Sequence, residues 1–224
     1  MRHALTLLAA LTLTACTAQP TPPTPSPAPR PTVVPLTVTQ AKKAALTVAD
    51  LPKGWDGGVA VDPTPTPGYR AQYDPPECLV FRHPTDILGD PVTAVRGQYF
   101  TRDPQQSVTE WVWSWPTQLD TLVPEMAGRF AKCSKYTMVT SDQVRYELVS
   151  SRLPLRGSAD AIAFRFDTAT PAGGDPAVAQ YIGYAARGGT VIHIEGWGEK
   201  LTDDAFAQLV GTAAARLDAA VGGR

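Results

Sequence analysis

The 224-residue chain sets 20 Lys and Arg against 21 Asp and Glu, a formal net charge of −1, and is 43% hydrophobic. It lacks the basic excess that a nucleic-acid backbone requires, while its apolar content suffices for a packed core. Past the first residues, no apolar run approaches the ~20 residues of a membrane-spanning helix.

The chain opens on Arg2 and an apolar stretch over residues 4–13, the plan of a secretory leader. That stretch ends in Leu13-Thr14-Ala15-Cys16, which resembles the lipobox of bacterial lipoproteins. Residues 1–15 are therefore expected to form a cleaved lipoprotein signal peptide, with Cys16 as the lipidated N-terminus. Several acyl chains on one residue hold a protein stably at a bilayer, where a single chain does not. Residues 16–38 follow as a Pro/Thr-rich, lipid-anchored stalk. Eight of the chain's 22 prolines fall between positions 17 and 35. Such a segment favours polyproline II at about 3.1 Å per residue, so roughly 20 residues reach some 60 Å. The expected location is extracytoplasmic, at the outer face of the cell membrane.

Residues 39–224 are long enough for one well-packed domain. Residues 39–46 read as a short helix capped by Thr39. Asp50-Leu51-Pro52 and Gly54 force a turn, and residues 56–76, rich in Gly and Pro, read as an irregular loop. Residues 93–101 and 107–115 alternate as strands do. In the second of these, Trp111, Trp113 and Trp115 share one face, and Val108, Glu110, Val112 and Ser114 share the other. Leu119, Leu122, Val123, Met126 and Phe130 mark an amphipathic helix that Pro124 should kink. Strands are predicted again over 143–153, 160–168, 177–187 and 190–197, the last two joined by a Gly188-Gly189 hairpin turn. A long helix over 202–221 closes the domain. Thr202 caps it, Asp203 and Asp204 suit its positive end, and Gly222-Gly223 terminates it. The fold class is α+β: a mainly antiparallel sheet of about five to six strands, helices packed on one face, and a long C-terminal helix.

With Cys16 assigned to lipid, Cys78 and Cys133 remain. In an oxidising exterior two leftover cysteines pair, and closing this loop is worth roughly 4 kcal/mol in chain entropy. The alternative is a reactive thiol with a histidine partner.

The order of "LTVADLPKGW", "PECLVF", "TAVRGQYF" and "VTEWVWSWPTQLDTLVPEMAGRFAKC" resembles the PknH-like extracellular sensor domain of actinobacteria, in its stand-alone lipoprotein form. The resemblance covers residues 46 to about 221. It implies an antiparallel sheet with flanking helices, a ligand-binding cleft, and a disulfide at Cys78 and Cys133. The family's second disulfide would fall near Gln180 and Trp197, where no cysteine stands. No kinase segment accompanies the domain, so signalling is expected to pass through a membrane or wall partner.

No H-E-x-x-H, G-x-S-x-G or Cys-x-x-Cys motif is present. His83 precedes a proline in a loop. No catalytic residue, cofactor or metal is expected. His193 and Glu195 share a strand face, either as a proton pair, as half a metal site, or as a solvent-facing polar pair. The tryptophans are either core beneath the helices, Trp113 above all, or line a groove for sugars, lipids or peptides that Trp111 and Trp115 reach. Glu110 on the opposite face favours burial of the rings. Arg96 with Gln98, and Arg165 with Asp167, lie at period-two spacing and would line the cleft that the resemblance implies. The candidate ligand-binding set is Arg96, Gln98, Trp111, Trp115, Arg165, His193 and Glu195. The expected function is a non-enzymatic ligand-binding or sensor module for a small-molecule or envelope ligand. The alternative is a wall-associated scaffold that binds a protein partner through its sheet face.

Overall fold

The computed structural model describes residues 32–60, 72–81, 84–101, 106–130, 132–140, 143–156, 160–169, 179–198 and 201–222. The leader, Cys16, the stalk to residue 31 and His83 lie outside the described residues.

Among the described residues, nine strands form one sheet: β1 (Trp55–Ala60), β2 (Gln72–Asp74), β3 (Thr93–Thr101), β4 (Ser107–Ser114), β5 (Lys135–Val139), β6 (Arg145–Leu153), β7 (Ala161–Ala169), β8 (Gln180–Arg187) and β9 (Thr190–Trp197). Their order is β1-β3-β4-β9-β8-β7-β6-β5-β2, and every neighbouring pair is antiparallel. The expected five to six strands are thus nine. The three additions are β1, β2 and β5. Two of them lie in the stretch read as loop: β1 carries Gly57 and Gly58, which leave no side-chain pattern, and β2 spans three residues. Pairing with β3 and β5 makes them strands. Between β8 and β9, Gly188 takes the positive φ of 55° that the tight hairpin turn needs, with Arg187 opposite Thr190.

One sheet face packs on α1 (Val38–Ala44) and α4 (Asp203–Gly222). The cap of α1 is Thr37, not Thr39. Its hydroxyl accepts from the Gln40 N–H, and the Gln40 side chain accepts from the Thr37 N–H at 2.9 Å, which is a capping box. Just upstream, Leu36 is 1% exposed. Its N–H donates to Ser114 Oγ at 2.9 Å, and its carbonyl accepts from the Thr93 hydroxyl at 2.6 Å. Residues 32–38, assigned to the stalk on composition, therefore belong to the packed unit. In α4, Thr202 Oγ accepts the Ala205 N–H at 3.2 Å, as the sequence indicates. Phe206, Leu209, Val210, Ala213 and Leu217 are buried beneath that helix. Each large apolar side chain so placed contributes about 1.5–3 kcal/mol. Gly183 on β8 permits the close approach, since a Cβ there would lie 2.3 Å from Val210 Cγ2.

The other face carries α3 (Leu122–Phe130), a 3-10 turn (Pro76–Phe81) and the short α2 (Pro84–Leu88). Cys78 and Cys133 are bonded, tying that turn to the end of α3. Phe130 stacks on Phe164 at 4.6 Å. Pro124 is the third residue of α3, inside the first turn, where no backbone N–H is needed for an i→i−4 bond. It starts the helix instead of kinking it. Helices therefore lie on both faces of the sheet and not on one. The reason is in β7, where Ile162, Phe164 and Phe166 are buried on one side and Ala161 and Ala163 on the other.

Candidate functional site

On the α3 face, the helix and disulfide cover the half of the sheet around β5 to β8, and leave β3, β4 and β9 less covered. The register sets Arg96, Trp111, His193 and Tyr184 directly opposite one another across β3, β4, β9 and β8. Their side chains form a column. The Tyr184 and His193 rings stack at 4.7 Å and 5°, and His193 and Trp111 at 5.1 Å and 19°. The Arg96 guanidinium carbon lies 5.7 Å from the Trp111 ring centre. Such spacings match the distance between neighbouring strands, so each ring stands upright beside the next. The cation over the indole adds about 0.5–2 kcal/mol. His193 Nε2 lies 3.5 Å from Glu195 Oε1. The next rank along the sheet is Gln98, Thr109 and Glu195. Because the rings cover one another's faces, the surface offers ring rims, a guanidinium, an amide and a carboxylate. It is a polar and aromatic recognition surface.

No family model matches the chain, and no curated protein does. The fold resembles the extracellular domain of PknH from Mycobacterium tuberculosis. The likeness has a TM-score of 0.58 over 85% of this chain and 99% of that domain, at 14% identity. It is a likeness of fold. A looser one, with a TM-score of 0.45 and 12% identity, joins 79% of this chain to 95% of an uncharacterized Mycobacterium smegmatis protein, an Rv0999 ortholog. Among the described residues, no helix is long and apolar enough to cross a membrane.

Within this PknH-like fold, the candidate residues do not converge on one cleft. Arg96, Gln98, Trp111, His193 and Glu195 share the partly open face. Arg165 and Asp167 lie on the opposite one, where Arg165 Nε donates to Asp167 at 2.9 Å and its guanidinium also reaches Asp203, at the start of α4, at 3.3 Å. The Tyr181 hydroxyl donates to the same Asp203 oxygen at 2.9 Å. Burial, and after it that bond, pushes the Tyr181 phenol up to about 12. These groups fasten the N-terminus of α4 and do not extend the Arg96 surface.

The tryptophans divide differently from the expectation. Trp115 is 4% exposed, donates its indole N–H to the Gly89 carbonyl at 3.0 Å, and sits with Leu119, Leu122 and Met126 in the α3 core. It is removed from the open surface. Trp113 is half-buried, 5.8 Å from Trp111. The deepest ring is thus the last of the three, because α3 begins just beyond it and closes over it. His193 is 2% exposed, so it is not the solvent-facing partner of Glu195. Indoles from β4 and the phenol from β8 enclose it.

The largest correction concerns Glu110. Its face, with Val108, Val112 and Ser114, was expected outward and is the fully covered one. Glu110 is 0% exposed, and its Oε2 accepts the Leu46 N–H at 2.8 Å. The Tyr99 hydroxyl donates to the Leu46 carbonyl, while Arg216 Nε donates to the Ala45 carbonyl at 2.7 Å and the guanidinium pairs with Asp50 at 3.2 Å. Together they clamp the chain that leaves α1. Burial pushes the Glu110 carboxyl up from 4.5 to about 8, outweighing the Leu46 bond and Arg216.

One residue of the open surface was missed: Trp197, 43% exposed, on the His193 side of β9. Tyr184, which ends the ring column, is 0% exposed and belongs to the core beneath α3. Period-two spacing from His193 through Glu195 to Trp197 carries the signal. Trp197 is paired with Gln180, at the positions where the family resemblance implies a second disulfide.

Proposed function

We propose that this chain is a lipid-anchored, extracytoplasmic, non-enzymatic ligand-binding or sensor module of the cell envelope, and that its ligand meets the β3, β4 and β9 surface. The observation that carries the reading is Arg96 over the half-buried Trp111, with Gln98 and Glu195 beside them, on the part of the sheet that α3 leaves less covered; the buried His193 and Tyr184 rings back the indole from inside. The likeness of fold to a domain described as extracellular supports the side of the membrane. The leader and Cys16 support the anchor.

Two measurements test the reading. A metabolic fatty-acid probe should label the wild-type chain, and Cys16→Ser should lose both label and membrane retention; equal labelling would remove the anchor. Mass spectrometry of small molecules carried through purification should find a species on the wild type that Trp111→Ala loses. If nothing is retained by the wild type, or if the variant retains it equally, the binding surface is misplaced.

A further inference from the structure

The open surface has a pattern along β9 that narrows its ligand, on the premise that the surface binds one. Trp111 faces His193, and Trp197 stands four residues beyond His193, about 13 Å at ~3.3 Å per residue. Between them the floor is polar. The Gln98, Thr109 and Glu195 rank supplies an amide, a hydroxyl and a carboxylate, with Gln98 exposed and the other two half-buried. An indole thus stands at each end of a floor that both donates and accepts hydrogen bonds.

The charge pattern excludes simpler ligands. Arg96 and Glu195 oppose each other on the same face, so neither an anion nor a cation finds a site of one sign. An acyl chain would desolvate the Glu195 carboxylate and the Gln98 amide without replacing their hydrogen bonds. A ligand with hydroxyls spaced along its length satisfies donors and acceptors alike, and its C–H groups pack on the exposed Trp197 indole at one end and on the rim of Trp111 at the other. We propose that the surface between Trp111 and Trp197 binds a short, neutral oligosaccharide segment, with Glu195 and Gln98 pairing to its hydroxyls.

Cellotriose and triacetylchitotriose are the probes, added to the full chain purified without sugar-based detergent. Saturation-transfer NMR should show saturable binding of at least one, in the millimolar range. Trp197→Ala and Glu195→Gln, both at positions with solvent access, should each weaken it at least tenfold while the melting curve stays close to wild type. Trp55→Phe, on the α4 face, should leave it unchanged. Absence of transfer from both trisaccharides overturns the proposal, as does binding that both variants preserve. A second arm separates this from failure of the binding surface itself. An envelope extract that shifts tryptophan fluorescence should lose that effect after digestion by a mixture of glycosidases. A shift that survives digestion and needs Trp111 would keep the binding surface and remove the oligosaccharide. No shift from extract or trisaccharide would remove both.

Discussion

Trp115→Ala is expected to cost about 3–5 kcal/mol, the range for removing a fully buried large aromatic side chain. The ring is 4% exposed and lies edge-on to Trp113 at 6.3 Å, against the residues that open α3. The backbone there has little room to collapse, since the Trp115 N–H donates to the Gly189 carbonyl at 2.7 Å. In a domain of this size the loss should lower the melting temperature on the order of 10 °C. Trp111→Ala should behave differently. That ring is half-buried and held chiefly by its stack, so the expected cost is under about 2 kcal/mol. Thermal melts of the two variants side by side decide the matter. If Trp111→Ala melts lower than Trp115→Ala, the division of this strand into a core ring and a surface ring is wrong.

A second large effect should follow pH. Glu110 is ordinarily half-protonated at 4.5 and, in the folded chain, at about 8. Between those values the folded state keeps a proton that the unfolded chain has released. Its contribution is therefore fully present below pH 4.5 and is lost as pH rises through about 8. The groups facing it are Tyr99 from β3, Asp50 from the turn after α1, and Arg216 from α4, so the carboxyl responds to three packed elements at once. Glu110→Gln keeps an acceptor for the Leu46 N–H and removes the titration. Denaturant unfolding from pH 4.5 to 8.5 should show wild type losing stability relative to the variant, by up to a few kcal/mol at the alkaline end. Parallel curves for the two proteins would mean that the carboxyl is not held protonated by the fold.

Trp111 and Glu110 stand on opposite faces of one strand, and β4 shows how far alternation can be read. Period two correctly puts Trp111 and Trp113 on one side and Val108, Glu110 and Val112 on the other. It does not say which side is covered. A carboxylate argues for the outside only when nothing supplies it a donor. Here the chain leaving α1 presents the Leu46 N–H, a partner sixty-four residues away that no local pattern contains.

The same division runs through the whole molecule. The sequence by itself determined the long strands with their face assignments, the Gly188-Gly189 hairpin, the capped C-terminal helix and the pairing of Cys78 with Cys133. Each rests on contacts local in the chain, or on a choice with one remaining partner. Only the tertiary structure decided that β1, β2 and β5 exist, because short or glycine-bearing segments become strands through the edge they pair with. It alone placed helices on both faces, and so sent Trp115 and Glu110 inside while leaving Trp111 and Trp197 at a surface. Burial depends on what packs above a residue, and in an antiparallel sheet that element comes from a distant part of the chain.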